Sequence, residues 1–302
     1  MDFVINLLSI SLYEGLAYGF VALGVYITFR VLSFPDLTVD GSFPMGGAVA
    51  ATLIVAGVNP WLATLVAFIA GMGAGLITAL LNTKLRLNAL LAGILMMVSL
   101  YSINLVIMGR SNVSVLRDAT VLKQTAQLFG TKPNTTLTIL FMVVLTIIIL
   151  GILNWFLRTE IGLALRATGD NEQMVRGLGV NTDMTTIIGV SLSNGLVALA
   201  GGLIAQKQGF ADVGMGIGMI VMGLASVIIG ERLFRPRGIT AILFAVIGGS
   251  FVYRLFLSIA LRLGLPPSNL KLITALLVII ALAIPYIQKK IRGEWIPPAA
   301  RM

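Results

Sequence analysis

Phe34-Pro35-Asp36-Leu37-Thr38-Val39-Asp40-Gly41-Ser42-Phe43-Pro44 is a polar, proline-bracketed string. It lies inside residues 31–57, a stretch otherwise apolar enough to cross a membrane. Proline lacks a backbone donor and disfavours helix at the residue before it, so one continuous helix is not expected here. The second span should instead form two pieces, the later one starting near Ser42, which can serve as its N-cap. Unwound backbone survives at membrane depth only where protein buries it or where it lines a water-filled cavity. The string therefore predicts a polytopic, all-α membrane protein with a polar interior.

The rest of the chain agrees. Of its 302 residues 58% are hydrophobic and 11% charged, with a mean hydropathy of +1.00, whereas soluble domains carry roughly 25% charged residues. Apolar stretches at 7–29, 31–57, 61–81, 88–109, 135–157, 184–206, 214–230, 237–258 and 270–288 predict 8–10 spans. Together they make a single domain over 1–302. The stretch 7–29 is too long for a signal h-region and has no basic flank before it, so it is expected to stay in the mature chain.

The net charge is +9, but the basic residues sit mostly in short links between spans, where topology rules explain them and nucleic acid does not. Residues 84–86, 158–183 and 231–237 and the tail 289–302 share one side and should be cytoplasmic. An odd number of spans then puts Met1 outside, and a re-entrant second segment would put it inside. With no Cys and no His, thiol and imidazole catalysis and the usual zinc sites are excluded. No G-x-x-x-x-G-K-[ST] string is present, so energy must come from a gradient or from a separate ATPase.

Several polar residues fall within the apolar stretches. Phe210-Ala-Asp212-Val-Gly follows Phe34-Pro-Asp36-Leu-Thr by 176 positions, a weak sign of two related halves, and broken segments in matching positions mark transport pathways. Asp36, Asp40, Ser42 and Asp212 are thus pathway candidates, although Asp212 can equally cap an external helix. Glu14 in the first span either lines the pathway or bonds a neighbouring helix. For Tyr101, Ser102 and Asn104, ordinary interhelical hydrogen bonds are the first explanation. Gly15, Gly19, Gly71, Gly75, Gly201 and Gly202 suit close helix packing. The outer link 110–134 has an amphipathic middle (Val115, Leu116, Val121, Leu122, Leu128, Phe129) expected to lie as a helix on the external surface. In the inner link, Asp170 with Gln173 resembles a capping box, and Gly177 and Gly179 should close the short helix it starts.

The series Arg158, Gly162, Arg166-Ala167, Gly169-Asp170-Asn171-Glu172, Leu178-Gly179-Val180-Asn181, Ser193-Asn194-Gly195 and Ala200-Gly201-Gly202 resembles permeases of the branched-chain amino acid and ribose importer family of ABC transporters. The run Glu14–Gly19 resembles them too. Leu37–Ser42 and Leu265–Leu272 are similar to a subgroup associated with tryptophan or tyrosine uptake. The resemblance implies a bacterial inner-membrane subunit with a second permease copy, a cytoplasmic ATPase dimer that binds ATP and Mg, and an external solute-binding protein. It implies no cofactor or metal in this chain. It also puts Arg166, Gly169, Asp170, Asn171, Glu172 and Arg176 at the ATPase contact. Read from the residues alone, an ion-coupled transporter using Asp36, Asp40 or Glu14 is the alternative. An intramembrane hydrolase using Asp36 and Asp40 lacks any accompanying nucleophile or metal constellation.

Overall fold

The computed structural model describes residues 2–128, 130, 134–264, 272, 274–276 and 279. The ninth expected span, the tail 289–302 and the Leu265–Leu272 motif lie outside the described residues, apart from isolated positions.

Helix ends follow local chemistry. Asn59 accepts the Trp61 N–H with Pro60 in the first turn to open α3 (Pro60–Thr83), and Asn88 accepts from Leu90 to open α4 (Ala89–Met108). Thr159, Asn171 and Asn181 do the same for α7 (Glu160–Asp170), α8 (Glu172–Gly177) and α9 (Thr182–Gln208). The remaining helices are α1 (Asp2–Val25), α2 (Val39–Val55), α5 (Val121–Leu128), α6 (Thr135–Phe156), α10 (Met219–Phe234) and α11 (Ile239–Arg262). A π-helical turn, Tyr26–Val31, extends α1. Among the described residues seven helical stretches are long and apolar enough to cross a membrane, and α2 is a shorter apolar helix.

Two expectations change. Residues 32–38 hold no helix, so the break precedes α2 and leaves it in one piece from Val39; Ser42 lies inside that helix and caps nothing. The capping residue of the inner link is Asn171, one position after Asp170, and its side chain accepts from Met174 N. Asp170 instead completes α7, which docks its last turn so closely on the end of α1 that a side chain at Gly169 would overlap the Val31 carbonyl. The outer link contains both α5 and a short strand, β1 (Asn112–Ser114), antiparallel to β2 (Phe210–Asp212).

α1 and α9 form the centre; about four-fifths of each is buried (78% over the most apolar window). They run antiparallel, since Tyr13 lies beside Lys207 near the end of α9 while the Ser193 hydroxyl donates to the Gly24 carbonyl at 2.7 Å. α3, α4 and α6 turn large apolar side chains such as Leu65, Ile69, Leu95 and Ile148 outward, the surface that lipid solvates.

The related halves now have a geometric meaning. α1, α2 and α3 correspond in order to α9, α10 and α11 and run in opposite directions. At equivalent places, Asp36 accepts the N–H of Thr38 at 2.9 Å and Asp212 accepts that of Gly214 at 2.8 Å. Close contacts repeat as well. A side chain at Gly15 would overlap Phe251 on α11, and one at Gly75 would overlap Ser191 on α9; Gly15 matches Ser191 and Phe251 matches Gly75 under the same 176-residue offset. This is an inverted repeat.

Candidate functional site

The two broken segments meet inside the bundle. Residues 32–38 rise from the end that carries α7 and α8, the link end, and α2 begins level with Asn194, three turns into α9 and about 18 Å deep at 1.5 Å per residue. From the far end, β2 and a 3-10 turn, Val213–Gly216, descend to the start of α10. With 17 and 16 residues, α2 and α10 each run from mid-depth to one face.

At the meeting point the Asp40 carboxylate accepts the N–H groups of Gly218 at 3.0 Å and Ile220 at 2.8 Å. It caps α10 from another helix, at the end where the helix dipole favours negative charge. Gly218 itself supplies no side-chain cap and adopts φ +89, open to glycine at little strain. Asp40 and Gly216, equivalent in the two halves, touch through the Asp40 carbonyl, which leaves no room for a side chain at 216.

Beside this junction lies a cavity of about 390 Å³ whose walls include Asp40, Pro44, Met97, Tyr101, Asn104 and Ile217. Asn104 is buried; its amide donates to the Gly41 carbonyl at 3.2 Å and its own oxygen has no partner. Ser102 lines the same space. Sequence candidates Asp40, Tyr101 and Asn104 thus come together.

The others are elsewhere. Asp36 is fully buried one layer below, where its second oxygen accepts the Asn194 amide at 2.7 Å. The Ser42 hydroxyl donates to the Asn194 oxygen at 2.7 Å, so one asparagine joins both candidates. Asp212 caps the 3-10 turn at the far end. Glu14 pairs with Arg254 on α11 at 3.2 Å, and the guanidinium stacks over Tyr18, 3.4 Å from the ring centroid. Sequence reasoning missed Arg254, although an arginine deep in the apolar stretch 237–258, well past Arg237 at its edge, was the visible sign of a partner for Glu14. Asp36, Asp40 and Glu14 are all engaged with protein donors, a geometry of structural splints.

At the link end Arg176 is a hub. Its guanidinium reaches Glu172 and Asp183 at 2.8 Å each and donates to the Thr182 hydroxyl. Lys84 reaches Asp183 at 3.8 Å, so α8, α9 and the α3–α4 turn are linked. Arg30 and Glu231 form a two-pronged pair, 2.9 Å at each contact, between the ends of α1 and α10. Met174 and Leu178 point outward from α8 with exposures of 55% and 74%, apolar surface at a link that otherwise carries charge. Arg166, on α7, belongs to the same end. Among the described residues no group of acidic, His or Cys side chains could hold a metal.

The pattern of crossings, inverted repeat and exposed link helix defines a membrane transport subunit, and comparison with known proteins gives its family. The chain matches the family described as branched-chain amino acid transport system, permease component, over residues 7–282. It belongs to that family. A tyrosine transport system permease protein of Clostridioides difficile is 41% identical over 270 residues, covering 89% of this chain and 88% of that one. An uncharacterised protein of Rickettsia prowazekii is 38% identical over 282 residues, covering 92% and 97%. Among solved structures, PsaBC from Streptococcus pneumoniae in complex with Fab is similar with a TM-score of 0.51 at 14% identity, covering 93% of this chain and 91% of that one, a likeness of fold.

Proposed function

We propose that this permease imports an amino acid, aromatic by preference, across a bacterial inner membrane, working as one domain over 1–302. The observation that carries the reading is the junction where α2 and α10 start at mid-depth beside the cavity of Asp40, Tyr101 and Asn104. Helix starts at that depth are where alternating-access transporters hold solute. The apolar wall of Met97, Val98 and Ile217 suits an aromatic side chain, and the unpartnered Asn104 oxygen suits an ammonium donor. The similarity to a tyrosine permease supports the same substrate class.

In this reading the link 158–183 faces the cytoplasm, as does the tail 289–302, and α8 is the coupling helix. Arg166, Gly169, Asp170, Asn171, Glu172 and Arg176 form or brace the contact with an ATPase dimer that binds ATP and Mg. An extracytoplasmic solute-binding protein docks at the far end, and a second permease copy completes the pathway. Exposed Met174 and Leu178 support a protein contact at α8. The start of α1 then lies on the far side, because Tyr13 in its first half sits beside Lys207 near the end of α9.

The test is reconstitution of the permease with its ATPase and binding protein in liposomes. Uptake of labelled tyrosine that requires ATP and all subunits is expected, and is lost in Asn104→Leu. Uptake by the permease alone, driven by an ion gradient without ATP, would overturn the proposal.

A further inference from the structure

A second cavity, of about 150 Å³, lies at the far end between α1, α6 and α9, away from the α2–α10 junction. Tyr13 lines it at 4% exposure, and its hydroxyl has no hydrogen-bond partner. Lys207, in the last turn of α9, also lines it, with its ammonium 5.1 Å from the Tyr13 ring centroid. Among the described residues no carboxylate ion-pairs with Lys207. Glu14 borders the same space, but Arg254 holds its carboxylate at 3.2 Å, so Lys207 remains the uncompensated charge.

Both unused groups are donors: an ammonium has no acceptor capacity, and a phenol beside a cation presents its proton most favourably to an anion. What these two donors lack is an acceptor of their own, since the carboxylate at the cavity border, Glu14, is held by Arg254. The first residue of α6, Thr135, lies at the same cavity, and its N-cap Asn134 makes no side-chain cap. The positive end of a 22-residue helix therefore adds to the attraction.

Position selects the class of anion. Ile10, half exposed, and Thr135, exposed, belong to the cavity wall where α1 and α6 begin and α9 ends, the level at which helices leave hydrocarbon for headgroups. We propose that this cavity seats the phosphate of a phospholipid headgroup from the far-side leaflet, with the Lys207 ammonium and the Tyr13 hydroxyl donating to its oxygens. A lipid held there joins α1, α6 and α9 on the face away from the junction.

The experiment uses the purified full chain in detergent, with binding read by native mass spectrometry and by the thermal midpoint. Added phosphatidylglycerol is expected to be retained and to raise the midpoint, while diacylglycerol with the same tails does neither. Lys207→Gln and Tyr13→Phe should each weaken lipid binding about tenfold, the effect of one charge-assisted hydrogen bond. Lys207→Arg should keep it, and Lys84→Gln at the opposite end should leave it unchanged. Tyr13→Phe retains the ring, so loss of binding in a folded chain is readable. Equal retention by the wild type and both cavity variants, or equal stabilisation by diacylglycerol, would sink the proposal. If inorganic phosphate alone stabilises as well as the lipid does, the site takes a soluble anion and the lipid assignment is wrong.

Discussion

The carboxylate of Asp40 accepts the backbone N–H of Gly218 across 178 residues of sequence, at 3.0 Å. One half of the inverted repeat thereby caps a helix of the other. The contact lies where the equivalent positions 40 and 216 touch, so it joins the halves on their axis of relation. A movement that separates α2 from α10 must break it, so in the proposed transport cycle this stabilising contact would also be a point of control.

Asp40→Ala should therefore act on stability and on transport together. It strips two first-turn N–H groups of α10 of their acceptor, a loss of about 1–2 kcal/mol for a helix cap. Asp40→Asn keeps one side-chain oxygen and should recover part of the loss. The thermal midpoint of the purified chain measures this, and an unchanged midpoint in Asp40→Ala would show that the cap carries no weight.

Asn194 should be the least replaceable polar residue in the bundle. Its amide donates to Asp36 and to the Val190 carbonyl, and its oxygen accepts from Ser42. Asn194→Leu leaves a fully buried carboxylate short of a donor, a cost of at least about 3 kcal/mol for a charged group. Adding Asp36→Asn removes the charge and should restore part of the folded yield. Normal yield from Asn194→Leu alone would contradict the network.

Glycines separate into two groups by what a methyl would meet. At Gly46 it would overlap the Ala198 carbonyl, so α2 and α9 would have to move apart; overpacking of this kind costs about 1–3 kcal/mol. Gly73, on the same bundle, has nothing within 4 Å. Gly73→Ala should be neutral or gain up to about 1 kcal/mol of helix propensity. Thermal midpoints that fall equally in both variants would rule out the packing argument.

How much of this was legible in the sequence depends on the range of the contact. Spans within the described residues emerged within a few residues because bilayer thickness sets helix length whatever the neighbours. The Asx turns at Asp36 and Asp212 are local, so Phe-x-Asp already carried the repeat. The start of α2 was misplaced because cap preferences describe helix ends in isolation, whereas Val39 begins in a turn fixed by Asp36 and by Thr38 bonded to Thr78. That Asp40 caps α10, that Asn194 joins Asp36 to Ser42, and that Arg254 answers Glu14 are pairings between distant helices. One sequence lists the polar residues but not their partners.

If the link couples to an ATPase as proposed, docking and force transmission can be separated there. Asp170 is exposed and makes no ion pair among the described residues, so Asp170→Lys changes the surface that a partner meets and little else. It should weaken copurification with the ATPase through like-sign or mispaired charge. Arg176 is 44% exposed, and its pairs with Glu172 and Asp183 are worth less than about 1 kcal/mol each at such a surface. Arg176→Ala should leave folding and copurification nearly intact. It nonetheless removes the Arg176 contacts to Asp183 and Thr182 and leaves the Thr182–Glu172 hydrogen bond as the side-chain tie between α8 and α9, so stimulation of ATP hydrolysis by the solute-binding protein should fall with transport. Intact stimulation in Arg176→Ala would mean that force reaches the bundle by another route, the Gly169–Val31 contact between α7 and α1 being the next to test.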